Sequence, residues 1–217
     1  MELMEKAIKA AQSRPRDAEA TQRRILSAAK REFSRLGLAG ARVDAIAAKA
    51  KANKRMIYHY FSSKEELFQK VLEEAYLDIR TAETKLNLDG LPAIAALEAL
   101  VRFTWHYYLD NPEFLTLVNS ENLHKAKHLK QSQRIQLINQ PIHGTVQNIL
   151  DRGVREGVFR EGIDEMQLNL TVAAISYYYF TNRFTQAVLY NRDFMTPEAL
   201  QERIDFNVET ILRLVRR

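Results

Sequence analysis

The sequence predicts an all-α protein, and two observations predict it. Glycine and proline are scarce, seven and five in 217 residues, and apolar residues recur at helical spacing along almost the whole chain. No segment shows the apolar–polar alternation of a half-buried strand. We therefore expect about nine helices, with an N-terminal three-helix domain that contains a helix-turn-helix, followed by a larger helical domain.

Capping and stop signals place the ends of the helices. Residues 14–16 predict a loop that leads into the first helix, and Gly37 ends that helix. Asn53 is a good N-cap for a short third helix. Ser62 and Ser63 each precede a glutamate by three residues, so either serine can open the fourth helix as a capping box. After the fourth helix, which runs towards Leu86, further helices are expected at about 92–109, 112–127, 131–156, 164–190 and 197–214.

Composition and charge exclude several classes of protein. The chain has no cysteine, which excludes disulfides, thiolate nucleophiles and cysteine-based zinc sites. The N-terminus is charged where a signal peptide is apolar, and the longest uncharged run, 166–182, is too short and polar to span a membrane. A cytoplasmic protein without a membrane partner is therefore expected.

The positive charge is concentrated in the N-terminal part of the chain. Residues 1–60 hold 14 lysines and arginines against six acidic residues, a net charge of +8, whereas the remaining 157 residues carry −3. This asymmetry indicates an anionic partner for the first part only, and nucleic acid is the leading candidate.

The segment KRMIYHYF, residues 54–61, divides into two faces when it is built as a helix. Ile57 and Phe61 point inward, and Tyr60 lies at the border. Such a helix suits the bases and phosphates of a DNA major groove if its outer face carries donors, although a basic face is also often only solvated. With the short helix at 43–50, it forms a helix-turn-helix over about 41–61. The outer face carries Lys54, Arg55, Tyr58 and His59.

From Thr21 to Leu67 the chain resembles the TetR family of bacterial transcriptional regulators. The resemblance rests on RRILSAAKREFSRLGL, VDAIAAKA and IYHYFSSKEEL, in the order and spacing of that family's DNA-binding domain. It implies a DNA-binding domain over 17–67 and an effector-binding and dimerisation domain over 68–217, while residues 1–16 are expected to form a flexible basic arm. The resemblance also implies that the first residues of the third helix read bases and that Tyr58, His59 and Lys64 contact phosphates. The expected DNA contacts are Arg42, Lys54, Arg55, Met56, Tyr58, His59 and Lys64.

Three residues depart from the usual pattern of the TetR family. Lys51 stands in the turn where glycine is usual, so a strained positive φ or a rebuilt turn is expected. Arg42 replaces the threonine that usually caps the second helix, so the cap is lost, but its side chain can reach a phosphate. Arg55 stands where a small residue is common, and it either reads guanine or contacts a phosphate.

The last two helices are expected to hold a homodimer. A protein that reads a palindrome places its recognition helices about 34 Å apart, or a multiple of that distance. The segment NLTVAAISYYYFTNRFTQAVLY is apolar around much of its circumference, and EALQERIDFNVETILRLVRR is amphipathic. The resemblance to the TetR family implies a four-helix interface here, while burial within the monomer takes some of the same residues.

The middle helices suggest a cavity for a small-molecule effector. The segment FTWHYYLDNPEFLTLVNSEN mixes bulky rings with isolated hydrogen-bonding groups, as ligand cavities do. An aromatic or otherwise apolar effector is preferred, although each residue alone also fits a core position. The candidates are Phe103, Trp105, His106, Tyr108, Phe114, Leu117, Val118, His143, Gln147, Tyr177, Tyr178 and Phe180.

A spacing compatible with a metal site needs separate consideration. Glu121, His124 and His128 share one face if their helix continues, and such residues can bind zinc. Lysines crowd the same segment, so a solvated helix end is the preferred interpretation, and neither a metal nor another cofactor is expected.

The motifs together favour a regulator of transcription. No glycine-rich phosphate loop, Gly-x-Ser-x-Gly or His-Glu-x-x-His run is present, so an enzyme is not expected. Together with the resemblance to the TetR family, which implies repression, the motifs indicate a ligand-responsive repressor that binds a palindromic double-stranded operator as a homodimer and is released by a small-molecule effector. An architectural DNA-binding protein without a sensor is the alternative.

Overall fold

A computed structural model describes the backbone of residues 2–217 and the side chains of residues 17–217. The predicted all-α fold is confirmed: in the part of the chain that the structure describes, the only paired extended residues are Phe159 and Arg216, which form one antiparallel bridge. The predicted basic arm over residues 1–16, with its loop at 14–16, lies outside the residues whose side chains the structure describes, and its flexibility stays a prediction. The helices are α1 (Glu2–Gly40), α2 (Val43–Lys49), α3 (Lys54–Tyr60), α4 (Lys64–Thr84), α5 (Ala93–Asp110), α6 (Pro112–Leu123), α7 (Ile135–Arg155), α8 (Glu165–Tyr190) and α9 (Pro197–Val215), with short 3-10 helices at Leu88–Gly90 and Leu129–Gln131.

The predicted caps of α3 and α4 are confirmed. The Oδ1 atom of Asn53 accepts a hydrogen bond from the backbone N–H of Met56 at 2.8 Å. At the start of α4, Ser63 Oγ accepts from the N–H of Glu66 at 3.0 Å, and the Glu66 carboxylate accepts from the N–H of Ser62 at 2.8 Å. The capping box therefore uses Ser63, the second of the two registers that the sequence allowed.

Some helix ends differ from the prediction. Gly37 breaks α1 with φ 66° and ψ 178°, but one more turn follows it and ends at Gly40. Helix α6 ends at Leu123 rather than near residue 127, because Lys125 and Ala126 take positive φ values of 56° and 57°. These two residues cannot continue a right-handed helix.

The chain forms two compact units. The first comprises Met1–Glu74 together with Thr116–Ser132. In this unit α1 packs on α2 and α2 on α3, and Phe33 meets Phe68 edge to face with ring centroids 5.1 Å apart. Residues 68–74 and 116–132 thus belong to this unit, although they lie outside the predicted DNA-binding domain over 17–67.

The second unit comprises Ala75–Leu115 and Gln133–Arg217. Helix α5 lies at its centre and packs against α7, α8 and α9. In α7, a Cβ added to Gly153 would lie 2.0 Å from the ring of Phe159, so only glycine permits this approach. Among the described residues, no helix combines the length and the apolar character that a membrane crossing requires.

Candidate functional site

Helix α3 has one buried face and one exposed face. Ile57 is fully buried, and Phe61, which follows the helix in an extended conformation, is 1% exposed. Tyr60 is half-buried at the border. These residues fix the helix to the first unit from behind, which confirms the predicted division of the segment. The exposed side chains on the other face are those of Lys54, Arg55, Tyr58 and His59.

The donor side chains of this surface differ in the contacts that they make within the chain. Lys54 Nζ lies 3.1 Å from Asp44 Oδ1 on α2, and Lys64 Nζ donates to the carbonyl of Ala41 at 3.3 Å. By contrast, within the described residues the side chains of Arg55 and Tyr58 hold no hydrogen bond or ion pair. Both side chains are therefore available to a partner without a competing contact among the described residues.

The N-terminus of α2 lacks a side-chain cap. Arg42 is extended at the N-cap position, and its side chain makes no capping hydrogen bond, as the sequence predicted. The side chain is exposed, and Met56 in the first turn of α3 is half-buried. Arg42 thus leaves the first backbone N–H groups of α2 uncapped by a side chain and keeps its guanidinium in solvent.

The turn between α2 and α3 is strained at Lys51. Its φ is 52°, in the left-handed region that glycine tolerates and lysine disfavours. Its backbone N–H donates to the carbonyl of Ala48 at 3.2 Å, and Arg24 Nε on α1 donates to the carbonyl of Ala50 at 3.2 Å. The expectation of strain at this position is confirmed.

Sequence reasoning missed a basic groove on the same unit. A shallow depression of about 520 Å³ lies between α1 and the end of α2. Ser27 and Arg31 form a hydrogen bond of 2.9 Å along one side of it. The recurrence of arginine along α1 at helical spacing was the signal that could have revealed it. Its lining residues are Ala20, Arg23, Arg24, Ser27, Arg31, Lys49 and Lys51.

Several predicted effector residues form packed core. Trp105 is 1% exposed, and its ring centroid lies 4.5 Å from that of Phe180. Tyr108 and Phe114 are buried and stack with centroids 5.9 Å apart. Burial raises the pKa of the Tyr108 hydroxyl well above its ordinary value. Of the other candidates, Phe103 and Tyr177 are half-buried and Tyr178 is exposed. Leu117 is buried and Val118 is half-buried, and both belong to the first unit.

Three polar candidates for the effector site lie on the surface instead. His106 is exposed, and its Nδ1 lies 2.7 Å from the carbonyl of Arg102 one turn earlier. His143 faces Glu165 at 3.2 Å, and Gln147 donates to Asp151 at 2.7 Å. His143 lines an open depression of about 370 Å³ on α7, together with Ile135, Gln136, Asn139 and Gln140.

A cavity of about 440 Å³ opens at the end of α8 and the start of α9. A second cavity of about 200 Å³ shares four of its lining residues, and we name the two together the α8–α9 groove. Among the residues predicted for the effector site, Tyr178 lines this groove. The full lining is Tyr178, Tyr179, Gln186, Tyr190, Arg192, Phe194, Ala199, Glu202, Arg203 and Phe206.

The residues considered for a metal instead hold a loop. Glu121 and His128 are each 2% exposed, and Nδ1 of His128 lies 2.6 Å from Glu121 Oε2. The other carboxylate oxygen accepts from the backbone N–H groups of His128 and Leu129 at 2.8 and 2.9 Å. In residues 17–217 no three histidine or acidic side chains are placed to hold a metal ion. The prediction of a shared helix face was wrong, because the helix ends at Leu123. The preferred interpretation of a solvated helix end was wrong for Glu121 and His128, because both side chains are buried.

The fold and the α3 surface define a helix-turn-helix regulator, and comparison with known proteins gives its family. Residues 25–71 match the profile of "Bacterial regulatory proteins, tetR family". Residues 94–211 match that of "Tetracyclin repressor-like, C-terminal domain". The chain belongs to the TetR family of bacterial regulatory proteins.

Relatives and a solved structure agree with this family. The chain is 38% identical over 204 residues to the HTH-type transcriptional repressor NicS of Pseudomonas putida, covering 94% of this chain and 96% of the relative. It is 58% identical over 108 residues to the HTH-type transcriptional repressor SCO4008 of Streptomyces coelicolor, covering 50% and 53%. The crystal structure of the regulator SCO4942 from Streptomyces coelicolor superposes with a TM-score of 0.66 at 26% identity, covering 90% of this chain and 98% of that one.

Proposed function

We propose that this protein is a ligand-responsive transcriptional repressor that binds a palindromic DNA operator as a homodimer and is released by a small-molecule effector. The observation that carries the proposal is the exposed donor face of α3, which Ile57 and Phe61 anchor from behind. We assign DNA binding to residues 17–67, and effector binding and dimerisation to residues 68–217.

The α3 surface has the chemistry that DNA recognition needs. Guanidinium, ammonium, phenol and imidazole groups donate hydrogen bonds to phosphates and to the acceptors of base edges. Arg55 and Tyr58 hold no hydrogen bond or ion pair within the described residues, so a DNA contact replaces only water. The net charge of +8 over residues 1–60 adds attraction to the phosphate backbone.

An apolar stripe on α8 supports the homodimer. Met166, Leu170, Phe184 and Val188 are exposed by 47%, 55%, 71% and 82%. Their spacing of four, fourteen and four residues puts them on one helix face. They form two exposed apolar pairs, one near each end of the helix, and exposed apolar side chains grouped on one face favour a protein interface. A second copy of the chain, related by two-fold symmetry, would cover this stripe and fix the separation of the two α3 helices.

The proposal of repression rests on the names of the relatives, and the proposal of release by a ligand rests on the α8–α9 groove. The relatives NicS and SCO4008 are both named transcriptional repressors. A cavity lined by rings and arginines favours a sensor over an architectural DNA-binding protein, which needs no cavity. We propose no enzymatic activity, and we place the protein in the cytoplasm, where a bacterial repressor meets its operator.

Selection of operators from random duplex DNA tests the proposal. The purified protein should enrich a palindrome, bind it with nanomolar affinity by fluorescence anisotropy, and have the mass of a dimer in solution. Binding should weaken steeply with salt, while a scrambled duplex of the same length should bind at least about 1,000-fold more weakly. A metabolite screen against the complex then identifies the effector by release. Equal affinity for the selected and the scrambled duplex would contradict sequence-specific regulation.

A further inference from the structure

The basic groove between α1 and the end of α2 carries more positive charge than the described chain neutralises. Its volume is about 520 Å³, and all its lining residues belong to the first unit. No acidic residue lines it, and each of its lysine and arginine side chains is exposed. The groove is therefore a concave surface that attracts a polyanion. Its cationic residues are Arg23, Arg24, Arg31, Lys49 and Lys51.

One face of α1 supplies most of this charge. Arg23, Ser27 and Arg31 follow one another at intervals of four residues, so they are neighbours along the helix. Arg31 donates to the neutral hydroxyl of Ser27 at 2.9 Å and pairs with no carboxylate among the described residues. Arg23 lies 4.0 Å from Glu19, with side chains that are 72% and 71% exposed. An ion pair this long and this exposed is weak, so another anion can replace Glu19.

Two other cations of the groove are occupied within the chain. Arg24 donates to the carbonyl of Ala50 at 3.2 Å, and this contact fixes the end of α2 against α1. Lys49 Nζ lies 2.6 Å from Glu32, and its hydrogen bond holds the pKa of the buried Glu32 carboxyl below the ordinary value. Glu32 therefore stays ionised and neutralises Lys49. The charges that remain for a partner are those of Arg23, Arg31 and Lys51.

Lys51 places an ammonium group in the groove against the preference of its own backbone. Its φ of 52° suits glycine rather than lysine. Its side chain nevertheless lines the groove and forms no hydrogen bond or ion pair among the described residues. Strained residues cluster at functional sites, where the side chain has a role that offsets the strain. A contact with an external anion would give Lys51 such a role.

The basic groove adjoins the exposed donor face of α3. Lys51 lines the groove, and α3 begins three residues later at Lys54. Three residues of extended chain span at most about 11 Å. Each DNA strand carries one phosphate for about every 3.4 Å of the helix axis. A strand that contacts the start of α3 therefore has its next few phosphates within reach of the groove.

We infer that the basic groove holds the sugar–phosphate backbone of DNA next to the bases that α3 contacts, with Arg23, Arg31 and Lys51 each bound to phosphate. Guanidinium and ammonium groups are common phosphate contacts of DNA-binding proteins. The inference rests on the proposed function and deepens it, because it adds a DNA contact surface on α1. Phosphates are the same in every sequence, so this surface contributes affinity without sequence preference.

The double variant Arg23→Gln with Arg31→Gln, which we call the groove variant, tests this contact in the full-length protein. Anisotropy titrations should show a loss of at least about tenfold for the selected operator and for a scrambled duplex of the same length. The ratio of the two affinities should stay the same, and the dependence of affinity on salt should become shallower. Arg23→Lys with Arg31→Lys should retain most of the affinity, because lysine also binds phosphate through its charge.

Lys85→Gln with Arg213→Gln is the matched control, because it removes two exposed cations from the second unit. This control should change both affinities by less than about twofold. Operators that carry single neutral methylphosphonate linkages locate the contact on the DNA. At one or more positions, such a linkage should weaken binding of the unaltered protein but not of the groove variant. Thermal unfolding shows whether each variant is folded.

Three results overturn the inference. The groove variant could bind both duplexes as well as the unaltered protein does, or the groove variant and the control could lose affinity equally. Methylphosphonate linkages could also affect both proteins equally while inorganic pyrophosphate binds only the unaltered protein in calorimetry, which would assign the groove to a small anion.

Failure of the proposed function gives a different result. Equal affinity for the selected and the scrambled duplex, with both weakened in the groove variant, would support the groove contact and contradict sequence-specific regulation. A loss of the groove effect alone, with the operator still preferred, would contradict the groove contact and leave the proposed function intact. A protein that binds neither duplex would contradict both.

Discussion

Lys54 Nζ at the start of α3 lies 3.1 Å from the Asp44 carboxylate on α2, so the proposed recognition helix is tied to the helix before it through an exposed ion pair. Asp44 therefore competes with DNA phosphate for the same ammonium group. It also places a negative charge on a surface proposed to meet a polyanion.

Asp44→Asn should tighten binding to the selected operator. Removing the competing charge releases Lys54, and we expect a gain of about three- to tenfold in affinity at low salt. The stability of the protein should change by less than about 1 kcal/mol, because exposed ion pairs contribute little. Anisotropy titrations at several salt concentrations measure the effect. A weaker complex would instead show that the pair positions α3 for binding.

Arg55→Ala distinguishes the two roles left open for this residue. If Arg55 reads guanine, the variant should lose its preference at one base pair of the operator, a loss of about 1–3 kcal/mol for the preferred base. If Arg55 contacts a phosphate, all operator variants should weaken alike and the salt dependence should become shallower. Affinities for a series of single-base operator variants decide between them. An unchanged affinity for the whole series would remove Arg55 from the interface.

Lys51→Gly should stabilise the protein relative to Lys51→Ala. Both substitutions remove the same charge, but only glycine tolerates the φ of 52°. The strain relieved, about 1–2 kcal/mol, exceeds the extra entropy that glycine gives the unfolded chain, so the net gain over alanine should be about 1 kcal/mol. Urea unfolding of the two variants gives the difference. A glycine variant no more stable than the alanine variant would mean that the turn relaxes in solution.

Glu121→Ala should destabilise the protein strongly. The Glu121 carboxylate accepts three hydrogen bonds from His128 and Leu129 in a buried site. Its removal leaves buried donors without acceptors, which costs about 3 kcal/mol or more in the free energy of unfolding. Glu209→Ala, which removes one partner of an exposed ion pair on α9, should cost less than about 1 kcal/mol. Similar losses for both variants in denaturant unfolding would refute a structural role for the buried pair.

Glu83 should make stability depend on pH in a predictable direction. Burial raises the pKa of Glu83 to about 6, and the nearby Arg80 offsets only part of this effect. The folded state then holds the proton more tightly than the unfolded state, whose glutamate pKa is about 4.3. Its contribution to stability is thus fully present below about pH 4 and is lost as the pH rises through 6.

Glu83→Gln isolates this contribution from those of other groups. Between pH 4 and 7.5 the original protein should lose about 2 kcal/mol of stability relative to the variant. Thermal or denaturant unfolding of both proteins across this range provides the comparison. Parallel pH profiles for the two proteins would show that Glu83 ionises in the fold as it does in the unfolded chain.

The local features of the DNA-binding surface could be predicted because they depend on neighbours in the sequence. The spacing of Ile57 and Phe61 predicted which face of α3 is buried, and Asn53 predicted where the helix begins. Lys51 in place of glycine predicted either a strained turn or a rebuilt one, and its φ of 52° in the structure is the strained alternative. The capping box was ambiguous between two serines, since both have a glutamate three residues later. None of these predictions needed information about the fold of the second unit.

Long-range features could not be predicted in the same way. Helix α6 ends where two consecutive residues, Lys125 and Ala126, adopt left-handed backbone conformations. Neither lysine nor alanine favours this conformation, so the sequence does not indicate it. In the structure it occurs together with the contact between Glu121 and His128. The groove beside Arg203 depends on how the loop after α8 folds back, with Tyr179 bonded to Phe194 fifteen residues later. The position of Arg203 next to the apolar side of α9 was a signal of this groove, but helical periodicity alone predicts that its side chain faces solvent.

The most direct test of the account is the operator affinity of two double variants that each remove two positive charges. The first, Lys54→Gln with Arg55→Gln, alters the exposed face of α3, and the second, Lys85→Gln with Arg213→Gln, alters exposed cations outside it. We predict that the first loses at least about tenfold in affinity and that the second changes by less than about twofold at the same salt concentration. Equal losses in the two variants, or a first variant that binds as well as the unaltered protein, would contradict recognition of DNA by α3.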